Sequence, residues 1–122
     1  MPIDLDDALA AYGAAWLEAD AGKRMALLET CWADGGRYLD PSADVTGREA
    51  LSTHIGGFHA AQPGARIELA SGASRHHDRV HFRWGMVTAA GAVAIEGVDF
   101  GRLAADGRFE EIAGFFGPPP AA

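Results

Sequence analysis

The chain has 122 residues, of which 48% are apolar and 22% charged, a size and composition that fit one soluble domain with a true core and are too small for two. A formal net charge of −7, with no run of Lys or Arg to offset it, opposes binding to a phosphate backbone, so no nucleic-acid partner is expected. No apolar run approaches the roughly 20 residues that span a bilayer, and Asp4, Asp6 and Asp7 stand where a secretion signal would place basic residues, so the expectation is a cytoplasmic protein without a membrane partner.

Leu5, Leu9, Tyr12 and Trp16 recur at helical spacing between Asp4 and Ala21, with Gly22 as the expected stop. Met25, Leu28 and Trp32 form a second helical stripe, and Asp34-Gly35-Gly36 breaks it before a short extended piece from Arg37 to Asp40. Thr46 followed three residues later by Glu49 has the form of a capping box. It opens a third helix that runs to about Ala61 and stops at Gln62-Pro63-Gly64, with Leu51, Ile55 and Phe58 on its inward face. From Ala65 the period changes to two, with strands expected at about 65–71, 76–88, 92–103 and 108–116 and turns at Gly72, Gly91 and Asp106-Gly107. Three helices followed by a curling antiparallel meander make an α+β layout, with one domain over residues 1–117 and a Pro/Ala tail at 118–122. Helices on one face leave the outer face of the sheet free, where a homodimer is expected to form.

Alternation along the strand near residue 99 sorts its side chains onto two faces. Val93, Ile95, Gly97, Asp99, Gly101 and Leu103 share the drier one, so Asp99 is expected to be buried and its pKa raised, with the flanking Gly97 and Gly101 leaving room for a ligand. The neighbouring strand turns Val80, Phe82, Trp84 and Met86 toward it as an apolar wall. Asp40, before Pro41, is held extended at a strand end, as a base or as a turn former. Tyr12 shares a helix face with Leu9 and Trp16, so its hydroxyl is either a donor into the pocket or the satisfied tip of a core ring. His54 lies one turn before Phe58 and reaches the pocket rim as an acid/base candidate. Trp16, Tyr38, His54, Phe58, Phe82, Trp84, Met86 and Phe116 are the expected substrate-binding residues. His76, His77 and His81 lack the spacing of a zinc motif, and Cys31 is the sole cysteine, so no metal is expected.

The segment Ala11-Tyr12-Gly13-Ala14-Ala15-Trp16-Leu17-Glu18-Ala19-Asp20 resembles the opening helix of the ketosteroid isomerase-like and polyketide cyclase-like branches of the nuclear transport factor 2-like superfamily. Tyr38-Leu39-Asp40-Pro41, Thr46-Gly47-Arg48-Glu49-Ala50-Leu51, Gly97-Val98-Asp99-Phe100, Asp106-Gly107-Arg108 and Gly114-Phe115-Phe116-Gly117 follow in the same order. The resemblance implies a cone-shaped α+β barrel, three N-terminal helices on a strongly curved antiparallel sheet. It further implies a ketosteroid isomerase-like role, in which Tyr12 and a neutral Asp99 stabilise an enolate while Asp40 shuttles the proton, with no cofactor. The expected function is that of an isomerase or cyclase acting beside the carbonyl of a small hydrophobic molecule. The alternative is a non-catalytic domain that binds such a ligand or dimerises, because one scaffold hosts many functions.

Overall fold

The computed structural model describes residues 2–122. Two helices, α1 (Leu5–Leu17) and α2 (Ala21–Cys31), precede a hairpin of β1 (Trp32–Asp40) and β2 (Ala43–Thr46). After α3 (Arg48–Ala61) come β3 (Arg66–Leu69), β4 (Ser74–His76), β5 (Arg79–Val87), β6 (Val93–Leu103) and β7 (Phe109–Phe116). The strands form one sheet in the order β2-β1-β7-β6-β5-β3, with β4 also paired to β5. The three helices pack on this curled sheet as a half-barrel, the cone-shaped α+β form.

The sheet is mixed and not wholly antiparallel as expected. β5, β6 and β7 are an antiparallel meander, but β1 runs parallel to β7, with Tyr38 opposite Ile112 and Leu39 opposite Ala113. Local alternation cannot report this pairing, because the two strands lie at opposite ends of the chain. β1 also begins earlier than expected, at Trp32, whose fully buried indole N–H donates to the Gly36 carbonyl at 3.1 Å across the glycine-rich bend.

Several helix ends differ from the sequence reading for identifiable reasons. Thr46 makes no capping box, since its backbone is already paired with Arg37 across the hairpin. Gly47 takes the capping position instead, with φ at 94°, a value that favours glycine. Gly22 does not stop α1. That helix ends at Leu17, and the Asp20 carboxylate accepts from the Lys23 N–H at 2.8 Å to start α2, leaving Gly22 in the first turn. His77, with φ at 54°, lies between β4 and β5 where one longer strand was expected.

The core joins the helices to the concave face through Leu28, Trp32, Leu51, Ile55, Phe82, Phe109 and Ile112, all fully buried. The free carbonyls at the end of α1 are met by side chains of the other two helices. His59 Nε2 donates to the Trp16 carbonyl at 2.9 Å, and the buried Arg24 donates to the Glu18 carbonyl at 2.8 Å and to Ser52 Oγ at 3.0 Å. These bonds fix the end of α1 that carries Trp16. No described helix is long and apolar enough to cross a membrane.

Candidate functional site

Between the concave face of the sheet and helices α1 and α3 lies a cavity of about 550 Å³, within the range of small-molecule sites. Tyr12, Asp40 and Asp99 all line it, as do Trp16, Tyr38, His54, Phe58, Phe82, Trp84, Met86 and Phe116. Ser42, Ile67, Glu68 and Leu69 also line it without having been expected from the sequence, as does Ile95, which was placed only on the same face as Asp99. The alternation of Ile67 and Leu69 along β3 is a signal that would have found those two.

Asp99 and Asp40 occupy nearly the same level of the sheet on strands separated only by β7. Asp99 lies opposite Gly114, and the parallel register that sets Leu39 against Ala113 brings Asp40 beside the same glycine. A Cβ at Gly114 would stand 2.8 Å from Asp99 Oδ1 and 3.6 Å from Asp40 Cβ. The gap between the carboxylates therefore depends on a missing side chain. By contrast, the space expected above Gly97 and Gly101 is not free: the Trp84 indole covers Gly97, while Val80 and Ile112 close over Gly101.

The two acids have opposite electrostatics. Asp99 is 6% exposed, and its pKa is raised to about 7, mainly by burial, with the nearby Asp40 charge adding to the rise. The Trp84 indole N–H is close enough to oppose this shift, yet it meets no partner at hydrogen-bond geometry. Asp40, with its side chain 5% exposed, would also be pushed up by burial. Hydrogen bonds from Tyr38 and Ser42, together with the nearby His54, more than offset that and hold it below the usual carboxylate range. Tyr38 Oη donates to Asp40 Oδ2 at 2.6 Å, and Ser42 donates its backbone N–H and its hydroxyl to Oδ1, each at 2.7 Å. Asp40 thus forms the turn, one of the two roles its sequence left open, and it also lines the cavity.

The Tyr12 ring is stacked on Trp32 with centroids 5.8 Å apart and meets Phe82 and Phe109 edge-on. Its hydroxyl is buried without a hydrogen-bond partner, and burial followed by the Asp99 charge raises its pKa well above the usual value. An orphaned donor of this kind costs about 1–3 kcal/mol, so Tyr12 is not the satisfied tip of a core ring. The site combines two unpaired donors, a carboxyl that stays protonated up to about pH 7 and an ionised carboxylate, within an aromatic shell. Chemically this arrangement can donate hydrogen bonds to a ligand oxygen at one end and hold a cation or proton at the other. Among the described residues, no group of three or more His, Cys, Asp or Glu side chains is placed to hold a metal ion.

Residues 13–112 match the SnoaL-like domain family. The chain belongs to that family. The nuclear transport factor 2-like resemblance read from the sequence is thereby borne out. Among solved structures, a provisionally assigned isomerase of the SnoaL-like family from Agrobacterium tumefaciens has a TM-score of 0.84 and 29% identity, covering 91% of this chain and 95% of that one. A protein with a ketosteroid isomerase-like fold from Catenulispora acidiphila, in complex with trimethylamine, has a TM-score of 0.69 and 19% identity, covering 88% and 82% of the two chains. A provisionally assigned SnoaL-like polyketide cyclase from Jannaschia has a TM-score of 0.65 and 13% identity, covering 95% and 90%. The last two likenesses show the fold alone. No curated protein matches the sequence.

Asp99 makes the stability of this SnoaL-like protein depend on pH in an unusual direction. The unfolded chain releases this proton near pH 3.9, whereas the folded chain keeps it to about 7. Between those values the native state binds more protons, so this group's contribution falls as pH rises from about 4 to about 7 and then levels off. Asp99→Asn is expected to match wild type in urea unfolding near pH 4 and to exceed it by about 2–4 kcal/mol near pH 8. Equal wild-type and variant stabilities at both values would show that Asp99 titrates normally.

Proposed function

We propose that this SnoaL-like protein is a cofactor-independent isomerase or cyclase that acts at a carbon next to the carbonyl of a small, largely apolar substrate. The observation that carries the reading is the buried Asp99, its pKa raised to about 7, in the same aromatic cavity as the unpartnered Tyr12 hydroxyl. A carbonyl oxygen placed between them gains negative charge as the neighbouring carbon loses a proton. Two fixed donors then favour the enolate over the ketone, which is the differential stabilisation that catalysis needs. The Asp40, Tyr38 and His54 cluster lines the same cavity and supplies acid–base groups for the proton.

One observation favours a second reading. Carboxylates and aromatic faces line the cavity without any Lys or Arg, a lining that also suits a small ammonium ion. The neighbour solved with trimethylamine fits that possibility. The two readings separate by binding the phenolate of 3,4-dinitrophenol and, in parallel, tetramethylammonium at about pH 6, where Asp99 is still largely protonated. The enolate reading expects the phenolate to bind, and Tyr12→Phe and Asp99→Asn each to weaken it roughly tenfold or more. Binding of tetramethylammonium with none of the phenolate would replace this reading by that of an amine carrier.

The outer sheet face supports a homodimer as part of the same proposal. Phe100 and Phe115 are 50% and 58% exposed, with rings 5.9 Å apart, and His81 stacks on Phe100 beside them. Light scattering is expected to give a dimer mass for wild type and a monomer mass for Phe100→Glu/Phe115→Glu. A wild type that stays monomeric throughout a concentration series contradicts the dimer.

A further inference from the structure

We infer that His54, held by Asp40, is the residue that carries the proton in this cavity, so that Asp40 acts through His54 and not on the substrate itself. The inference rests on the enolate reading above and changes which side chain performs its acid–base step.

Asp40 has little acceptor capacity to spare. A carboxylate has about four lone-pair sites. Oδ1 of Asp40 accepts two bonds from Ser42, and Oδ2 accepts the short bond from Tyr38, while His54 Nε2 stands 3.7 Å from the same oxygen. Three of the four sites are filled, and the His54 ring faces the remaining one on Oδ2. The same contacts hold Asp40 below the usual carboxylate range, which makes it a weak base for a carbon-bound proton.

His54 has what Asp40 lacks. Its side chain is 23% exposed, and neither ring nitrogen is in a hydrogen bond among the described residues. The ring stands edge-on to Trp16 at 5.9 Å and tilts over Tyr38 at 5.4 Å, so its orientation is fixed by packing. An anionic oxygen facing Nε2 at 3.7 Å favours the neutral tautomer with its proton on that nitrogen, which leaves the lone pair on Nδ1. His54 also lines a second, shallow groove with Val45, Thr46, Glu49 and Thr53. It therefore forms the wall between the inner cavity and an opening to solvent, a place from which a captured proton can exchange.

The step balances without any other reagent. The imidazole lone pair takes a proton from the carbon next to the ligand carbonyl. The C–H electron pair becomes the C=C bond of the enolate as the carbonyl π pair moves to oxygen, where Asp99 and Tyr12 donate hydrogen bonds. The imidazolium, balanced by the Asp40 carboxylate, then returns a proton to a carbon of the conjugated system. Asp40 is a positioning residue in this scheme.

The test is exchange of the α-protons of 2-tetralone in deuterium oxide, followed by proton NMR on the full chain. Wild type is expected to accelerate the exchange, and His54→Gln to slow it by roughly 100-fold or more. His54→Ala is expected to recover activity with added imidazole, a rescue that a folding defect would not show. If Asp40 works through His54, adding Asp40→Asn to His54→Gln costs nothing further. Near wild-type exchange in His54→Gln, with exchange abolished in Asp40→Asn, would overturn the assignment and make Asp40 the base. Failure of wild type to exchange 2-tetralone while it still binds the phenolate would overturn it as well. Loss of phenolate binding in wild type would instead remove the enolate reading beneath it.

Discussion

Two carboxylates share one wall of an apolar cavity, and only the bare backbone of Gly114 lies between their strands. Burial disfavours the charged form of both acids, and their different partners drive the two proton affinities apart, with the Asp40 charge adding to the rise at Asp99. Four contacts from Tyr38, Ser42 and His54 favour the charged form of Asp40, while Asp99 has only the nearby Trp84 indole to oppose burial, and its pKa rises to about 7. On the proposed enolate reading, this division into one charged and one neutral acid lets a single cavity stabilise an oxyanion and handle a proton.

The rest of the fold maintains that division. Parallel pairing of β1 with β7 puts Asp40 beside Gly114, and the two-residue link from β1 to β2 supplies the Ser42 donors. The helices act as a frame around the cavity. Arg24 and His59 tie the end of α1 to α2 and α3, so Trp16 is held against Tyr38, His54 and Phe58. The Tyr12 ring is clamped by Trp32, Phe82 and Phe109, which keeps its hydroxyl buried without a partner. A donor left unpaired and a carboxyl left dry both work against stability, as a site prepared for a ligand commonly does.

Much of this was legible in the sequence because it rests on local periods. The face of α1 that carries Tyr12 and Trp16, the inward stripe of β5 and the burial of Asp99 on β6 all follow from spacing of 3.6 or 2. What was not legible depends on partners distant in the chain. The parallel strand pair needs residues 38 and 112 to meet, and no nearby residue signals it. The hairpin from β1 to β2 was hidden because Thr46 and Glu49 offered a plausible helix cap, an option lost once the Thr46 backbone paired with Arg37. Gly97 and Gly101 looked like room for a ligand, although the side chains that fill that room come from β5 and β7. The glycine that does open the site, Gly114, lies on a different strand from the acid it exposes.

The most direct measurement is a carboxyl-carbon NMR titration of Asp99 and Asp40 in the free protein, each assigned by its Asn variant. Because the two groups interact, the steps are read as those of a coupled pair. The account predicts one step near pH 7, lost in Asp99→Asn, and a second below the usual carboxylate range, lost in Asp40→Asn. Two ordinary steps near pH 4 would contradict it, since a fully ionised Asp99 at neutral pH has no proton to donate to a ligand oxygen.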